Sequence, residues 1–158
     1  MEFDSLIKKD LIYLDIPASS QEEALRYMAN ILVEKGYAKA TFPESIIERE
    51  KSHPTGLPMP GHKIAIPHTT ADQVLESALI FARLEHKIEF AEMGGEPGAT
   101  LPVRLVSMFA LKDKKLIGDL LEALITAYQD EEMLDHIIHA KQSDEVYEIL
   151  KKKVGRGS

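Results

Sequence analysis

The sequence predicts an α/β fold: a mixed central sheet flanked by helices on both faces, with a helical C-terminal third. Three observations lead there. Short runs rich in strand formers recur through the first two-thirds of the chain, apolar residues at helical spacing separate some of them, and after residue 111 the pattern changes to a helical period and keeps it. No internal repeat or low-complexity tract argues for another architecture. The 158 residues suffice for one core and leave no room for a second full domain. The expected organisation is a single domain over residues 1–154, with residues 155–158 as a frayed tail and a candidate cloning remnant.

Residues 11–16, rich in Leu, Ile and Tyr, form the first expected strand, closed by Pro17. Ser20 and Glu23 make a capping box ahead of Leu25, Met28 and Leu32, and Gly36 is a stop signal, so residues 21–35 read as an amphipathic helix. Pro43 suits a first helical turn, Ile46 and Ile47 supply an apolar face, and Pro54 disfavours helical geometry at His53; a shorter helix therefore spans about residues 43–52. Residues 53–63 hold three prolines and two glycines and read as a loop, neither helix nor regular strand. Ile64-Ala65-Ile66 is a very short apolar strand that ends at Pro67-His68. Residues 77–84 and 87–90 are two further strands, His86 lying in a charged, solvated turn between them, and residues 92–100 are a glycine-rich loop. Residues 103–111 are apolar on both alternating faces apart from Arg104 and Ser107, as a central strand covered on two sides should be. Three helices follow, marked by Leu116, Leu120 and Leu124, then by Met133, Leu134 and Ile137 after Asp130, then by Val146, Ile149 and Leu150 after Ser143.

Charge and cysteine content exclude several functions. With 19 Lys and Arg against 26 Asp and Glu the formal charge is -7, which weighs against a nucleic-acid or anionic-membrane surface. The chain has no cysteine, so disulfides, thiolate metal sites and a cysteine nucleophile are all ruled out. Apolar runs are only a few residues long against the roughly 20 that a spanning helix needs, and Met1-Glu2-Phe3-Asp4 lacks the plan of a signal peptide. A cytosolic protein is expected.

Covalent chemistry would then fall to histidine, of which there are six. His53, His62 and His68 lie in or beside the proline-rich loop, at spacings that match no metal-binding pattern and with no carboxylate between them. No metal is expected there. His136 and His139 read as surface residues near a helix end, where the negative end of the dipole favours them. His68 differs: it follows an apolar strand directly and Pro67 restrains the backbone before it, so its ring is presented from a fixed position. Imidazole is largely unprotonated near neutral pH, and one nitrogen can attack while a hydrogen bond holds the other. The residues alone leave His68 as either such a nucleophile or a structural histidine closing a buried strand.

Glu48-Arg49-Glu50, then Pro54-Thr55-Gly56-Leu57, then Ile64-Ala65-Ile66-Pro67-His68 together resemble enzyme IIA of the sugar phosphotransferase system (PTS), of the fructose, mannitol and galactitol type. The resemblance continues through residues 90–94, the strand at 103–111 and the helical end, so it spans nearly the whole chain. It implies that His68, through Nε2, accepts a phosphoryl group from the phosphohistidine of the carrier HPr and passes it to a cysteine of a IIB protein, which works with the membrane component IIC. Without cysteine or a spanning segment the chain is neither IIB nor IIC. No cofactor is implied.

The resemblance also places Arg49 beside the active histidine. A planar guanidinium can give two hydrogen bonds to a phosphoryl group, which lysine cannot match; otherwise Arg49 pairs with Ser45 or neighbouring glutamates on a helix face. Thr55 and Gly56 either offer a hydroxyl and a backbone N–H to phosphate or simply make a turn. Many fructose and mannitol members carry a second histidine after the central strand, whereas Lys114-Lys115-Leu116-Ile117-Gly118 has none. That departure leans toward the galactitol-like branch, and His53 either takes a supporting role at the site or closes a helix. The alternative function is a regulatory IIA-like module, of the nitrogen-PTS type, whose phosphorylation state is read by a protein partner.

Overall fold

The computed structural model of the chain describes residues 3–155; Met1 and Glu2, at the head of the segment read for a signal plan, and residues 156–158 of the expected tail lie outside it. Five strands, β1 (Ile7–Ile16), β2 (Gly56–Leu57), β3 (Lys63–Ala65), β4 (Ala78–Ala91) and β5 (Thr100–Ala110), make one mixed sheet in the order β1-β4-β5-β3-β2. β4 and β5 form its long antiparallel centre, β1 runs parallel to β4, and β3 runs parallel to β5. The helices α1 (Gln21–Glu34) and α2 (Phe42–Ser52) cover one face; α3 (Ile117–Ala127), α4 (Glu131–His139) and α5 (Ser143–Leu150) cover the other.

Each face has its own core, and the alternation along the two central strands builds both. Ile80, Ala82, Val106 and Met108 meet Leu25, Met28, Leu32 and Phe42 on the α1/α2 side. Leu79, Phe81, Leu105 and Phe109 meet Leu120, Leu124, Leu134 and Val146 on the other. The caps follow the sequence closely. Ser20 Oγ accepts the Glu23 N–H at 3.1 Å, while the Glu23 carboxylate reaches back to the N–H of Ser19, one residue earlier than the expected box would have it. Asp130 Oδ1 accepts the Met133 N–H at 3.1 Å and starts α4.

Two expectations change. The two strands expected at 77–84 and 87–90 are one strand, Ala78–Ala91, because β5 runs on beside it; a register shift between Arg83 and Ile88 absorbs the charged Glu85-His86-Lys87 as an irregularity of the ladder. His86 is solvated, its side chain 81% exposed, but it lies within the strand and not in a turn. The loop at 53–63 contains β2, a two-residue strand antiparallel to β3. Gly56 permits this: a Cβ there would lie 2.6 Å from the Ala91 carbonyl oxygen, so only a bare backbone fits between β3 and the end of β4.

The N- and C-terminal segments meet, the Phe3 N–H donating to the Gly155 carbonyl at 2.6 Å. Gly155 is buried, so the first residue of the expected tail belongs to the packed body. Among the described residues no helix is long and apolar enough to cross a membrane.

Candidate functional site

β3 ends at Ala65, and two buried residues later the chain presents His68. The Phe109 N–H donates to the Pro67 carbonyl at 3.2 Å, so β5 still braces the segment just before the histidine. The ring itself has two fixed contacts. It stacks on Phe109, centroids 4.6 Å apart and planes 9° from parallel, and its Nδ1 lies 3.0 Å from the Ile66 carbonyl oxygen. A carbonyl only accepts, so Nδ1 carries the proton and donates it, and Nε2 keeps its lone pair. Burial pushes the pKa of His68 below the ordinary histidine value; the bond to Ile66 opposes this and the nearby Arg49 charge adds to it. The imidazole is thus neutral and nucleophilic at pH 7.

Immediately after it, the Thr69 hydroxyl shares a 2.6 Å hydrogen bond with Ser45 Oγ on α2. The same helix delivers Arg49 in its last turn, and Arg49 Nε is buried without a hydrogen-bond partner among the described residues. Ser45 is therefore engaged with Thr69, and the guanidinium brings an unspent donor and a permanent charge into the neighbourhood of His68. A buried N–H that lacks an acceptor is costly, and an anion seated between Arg49 and His68 would supply one.

Glu50, the next residue, turns the opposite way, into the protein. It is 2% exposed, and its carboxylate accepts the Thr55 N–H at 2.7 Å and the Thr55 hydroxyl at 2.9 and 3.0 Å. Burial pushes its pKa up to about 7 against the opposing effect of these bonds. The Thr55 hydroxyl proton is thus directed to Glu50 and is not presented to the space near His68. Gly56 places its carbonyl under the Met93 N–H at 2.8 Å. Glu50 is the site residue that sequence reasoning passed over. The available signal was its position: it falls on the apolar face of α2 with Ile46 and Ile47, where a carboxylate is out of place unless something holds it.

None of the other histidines hydrogen-bonds to or stacks on His68 among the described residues. The His53 N–H closes α2 by donating to the Arg49 carbonyl at 2.7 Å, and its ring is exposed with no hydrogen bond among the described residues. His62 Nε2 lies 2.9 Å from Asp135 Oδ1 and ties the proline-rich loop to α4. His136 and His139 are exposed in the last turn of α4. Among the described residues no group of three His, Asp or Glu side chains gathers in a way that could hold a metal ion. Residues 114–118 form the entry to α3, directly beyond the strand whose Phe109 supports His68.

Comparison with known proteins matches residues 5–153 to the family described as phosphoenolpyruvate-dependent sugar phosphotransferase system, EIIA 2. The mannitol-specific EIICBA component of Escherichia coli K12 is 31% identical over 142 residues, which cover 88% of this chain and 21% of that protein. This chain thus spans about a fifth of that relative. The galactitol-specific EIIA component of the same organism is 30% identical over 117 residues, 67% of this chain and 78% of that one. Among solved structures, IIA mannitol from Escherichia coli superposes with a TM-score of 0.73 at 30% identity, covering 90% of this chain and 97% of that one. A complex of mannitol IIA with phosphorylated mannitol IIB, also from Escherichia coli, gives 0.72 at 28% identity, covering 90% and 95%. The site lies within the matched span, and the chain belongs to the EIIA 2 family of the phosphoenolpyruvate-dependent sugar phosphotransferase system.

Proposed function

We propose that the chain is a cytosolic phosphoryl carrier in sugar uptake, with His68 as the group that is phosphorylated. The observation that carries this reading is the pairing of a neutral imidazole, its Nε2 lone pair uncommitted, with the buried, unpartnered Nε of Arg49. In the forward step Nε2 attacks the phosphorus of the phosphohistidine on HPr. The donor's N–P bond breaks and its electron pair returns to the donor imidazole. The Nδ1 proton stays on His68, and the Ile66 carbonyl stabilises the positive charge that the ring acquires. In the second step a thiolate on a IIB protein attacks the same phosphorus, the N–P bond to Nε2 breaks, and the ring recovers its lone pair.

Little covalent work is left to the protein beyond position and charge. Arg49 supplies the positive charge that offsets the negative charge on the equatorial oxygens, and His53, whose ring makes no hydrogen bond among the described residues, is a second donor at the exit of α2. Thr55 acts by shaping the loop. The IIB partner is supported by the complex formed by the mannitol homologue, and the membrane component IIC carries the sugar specificity. The mannitol and galactitol relatives lie at 31% and 30% identity, so identity does not choose between those sugars.

The test is phosphorylation by phosphoenolpyruvate, Enzyme I and HPr, followed by intact mass. One acid-labile phosphoryl group is expected, absent from His68→Ala; a label that persists in the variant overturns the assignment.

A further inference from the structure

Burying a carboxylate is expensive, and a leucine at position 50 would fill the apolar face of α2 at lower cost if packing were the only requirement. What the carboxylate does is hold one residue. Among the described residues its hydrogen bonds come from Thr55 alone, one from the main-chain N–H and one from the hydroxyl proton shared between the two carboxylate oxygens, across the turn that leaves α2. Thr55 in turn stands at the edge of the β2–β3 pair, where its carbonyl accepts the Ile66 N–H at 3.4 Å, the rung beyond Gly56–Ala65. Ile66 then offers its own carbonyl to His68 Nδ1 at 3.0 Å.

We propose that Glu50 is a positioning residue for the phosphoryl-transfer site: through Thr55 and Ile66 it keeps the Ile66 carbonyl aimed at His68 Nδ1, and so keeps the reactive lone pair on Nε2. The rung between Thr55 and Ile66 is the longest link of the three, so it depends most on Thr55 being held from the other side. Glu50 also follows Arg49 directly on α2, and its anchorage fixes the helix end from which the guanidinium extends. One buried side chain thus sets both halves of the site, the tautomer of the nucleophile and the register of the cation.

This inference rests on His68 being the phosphoryl acceptor, and its test has a readout that does not. The 15N and 1H signals of the His68 ring in the unphosphorylated protein report which nitrogen carries the proton. The wild type is expected to show the Nδ1–H form alone, and Glu50→Ala a mixture of both forms with transfer from phospho-HPr slowed about tenfold or more. Glu50→Gln should restore both properties to near wild type, since its amide oxygen can accept the Thr55 N–H and its NH2 can donate to the hydroxyl. Thr55→Val, which removes the hydroxyl and keeps the N–H, serves if Glu50→Ala does not fold; a detectable second tautomer and a rate about threefold lower are expected there. A single Nδ1–H tautomer at wild-type rate in Glu50→Ala, or in Thr55→Val where Glu50→Ala is unfolded, overturns the proposal, as does Glu50→Gln behaving no better than Glu50→Ala. If instead His68 is never phosphorylated in the wild type, the carrier reading fails while the tautomer measurement still decides the role of Glu50.

Discussion

At His68 two contacts fix the ring: Phe109 sets its plane and the Ile66 carbonyl takes Nδ1, so in the proposed carrier Nε2 is the nitrogen left to react. In the same proposal Arg49 complements it with charge, and that role would depend on shape as well as sign. Arg49→Lys keeps the cation but removes the planar fork and the buried Nε, so we expect transfer to His68 to slow by about tenfold to a hundredfold with the melting temperature almost unchanged. Stopped mixing with phospho-HPr and thermal unfolding measure the two; a wild-type rate would make Arg49 an ordinary helix-end residue. Among the described residues His53 is hydrogen-bonded through its main chain alone. A donor that is not preorganised contributes little, so His53→Ala is expected to slow transfer about five- to tenfold while still allowing complete phosphorylation. Unchanged kinetics with HPr and IIB would leave it as the residue that closes α2.

The element that matters most is α2, which carries Ser45, Arg49 and Glu50 on three different errands: to the segment after His68, within electrostatic reach of the His68 ring, and into the protein. Its buried carboxylate leaves a signature in stability. The Glu50 pKa is raised to about 7 in the folded protein, so the folded state binds more protons than the unfolded one between the ordinary glutamate value and 7. Stability from this group is therefore full at low pH and is lost as pH rises through that window. Relative to Glu50→Gln, the wild type should lose up to about 3 kcal/mol between pH 4.5 and pH 7, read from urea midpoints. His68, with its lowered pKa, acts in the opposite sense, losing stability as pH falls through the ordinary histidine value, but it is common to both proteins and cancels in the difference. A pH-independent difference between the two would show that Glu50 ionises as it does in water.

At the scale of the molecule the helical C-terminal third must be tied to the sheet, and Arg83 does this at one point. It is 6% exposed on β4. Its Nε and Nη2 donate to Asp15 at 2.9 and 2.8 Å, and Nη1 donates to the carbonyls of Ile137, Ile138 and Ala140 at 2.9, 3.1 and 2.7 Å. It thereby closes the C-terminal end of α4, where carbonyls lack partners and the dipole is negative, and binds β1 to the same place. Asp15 takes a left-handed backbone, φ 58°, to meet it. Arg83→Met removes the side-chain donor from the Ile138 and Ala140 carbonyls, leaves the Ile137 carbonyl with the Ala140 N–H alone, and is expected to cost about 3 kcal/mol in chemical denaturation. Transfer kinetics well below the melting temperature should be unaffected, because Arg83 touches neither His68 nor α2; a slow but fully stable variant would contradict that division.

Near neighbours along the chain are enough to specify several features. The Ser20 cap and Leu25, Met28 and Leu32 specify α1, Pro43 and Pro54 bracket α2, and Pro67 before His68 marks the residue at the strand end. These signals act over a few residues, so they survive without a tertiary context. The order Arg49, Thr55-Gly56, Pro67-His68 likewise carried the family resemblance before any contact was known. Features that depend on distant partners wait on the folded chain. The fusion of residues 78–91 into one strand waits on β5 as its neighbour. β2 pairs with β3, and it can do so because Gly56 lets the backbone lie against Ala91, thirty-five positions further on. The inward turn of the Thr55 hydroxyl follows from a carboxylate whose place on the apolar face of α2 marks it as held but does not name what holds it, and the tautomer of His68 follows from a carbonyl whose direction the sheet sets. Cap and period are properties of a segment; a buried charge acquires its meaning from what the rest of the chain folds against it.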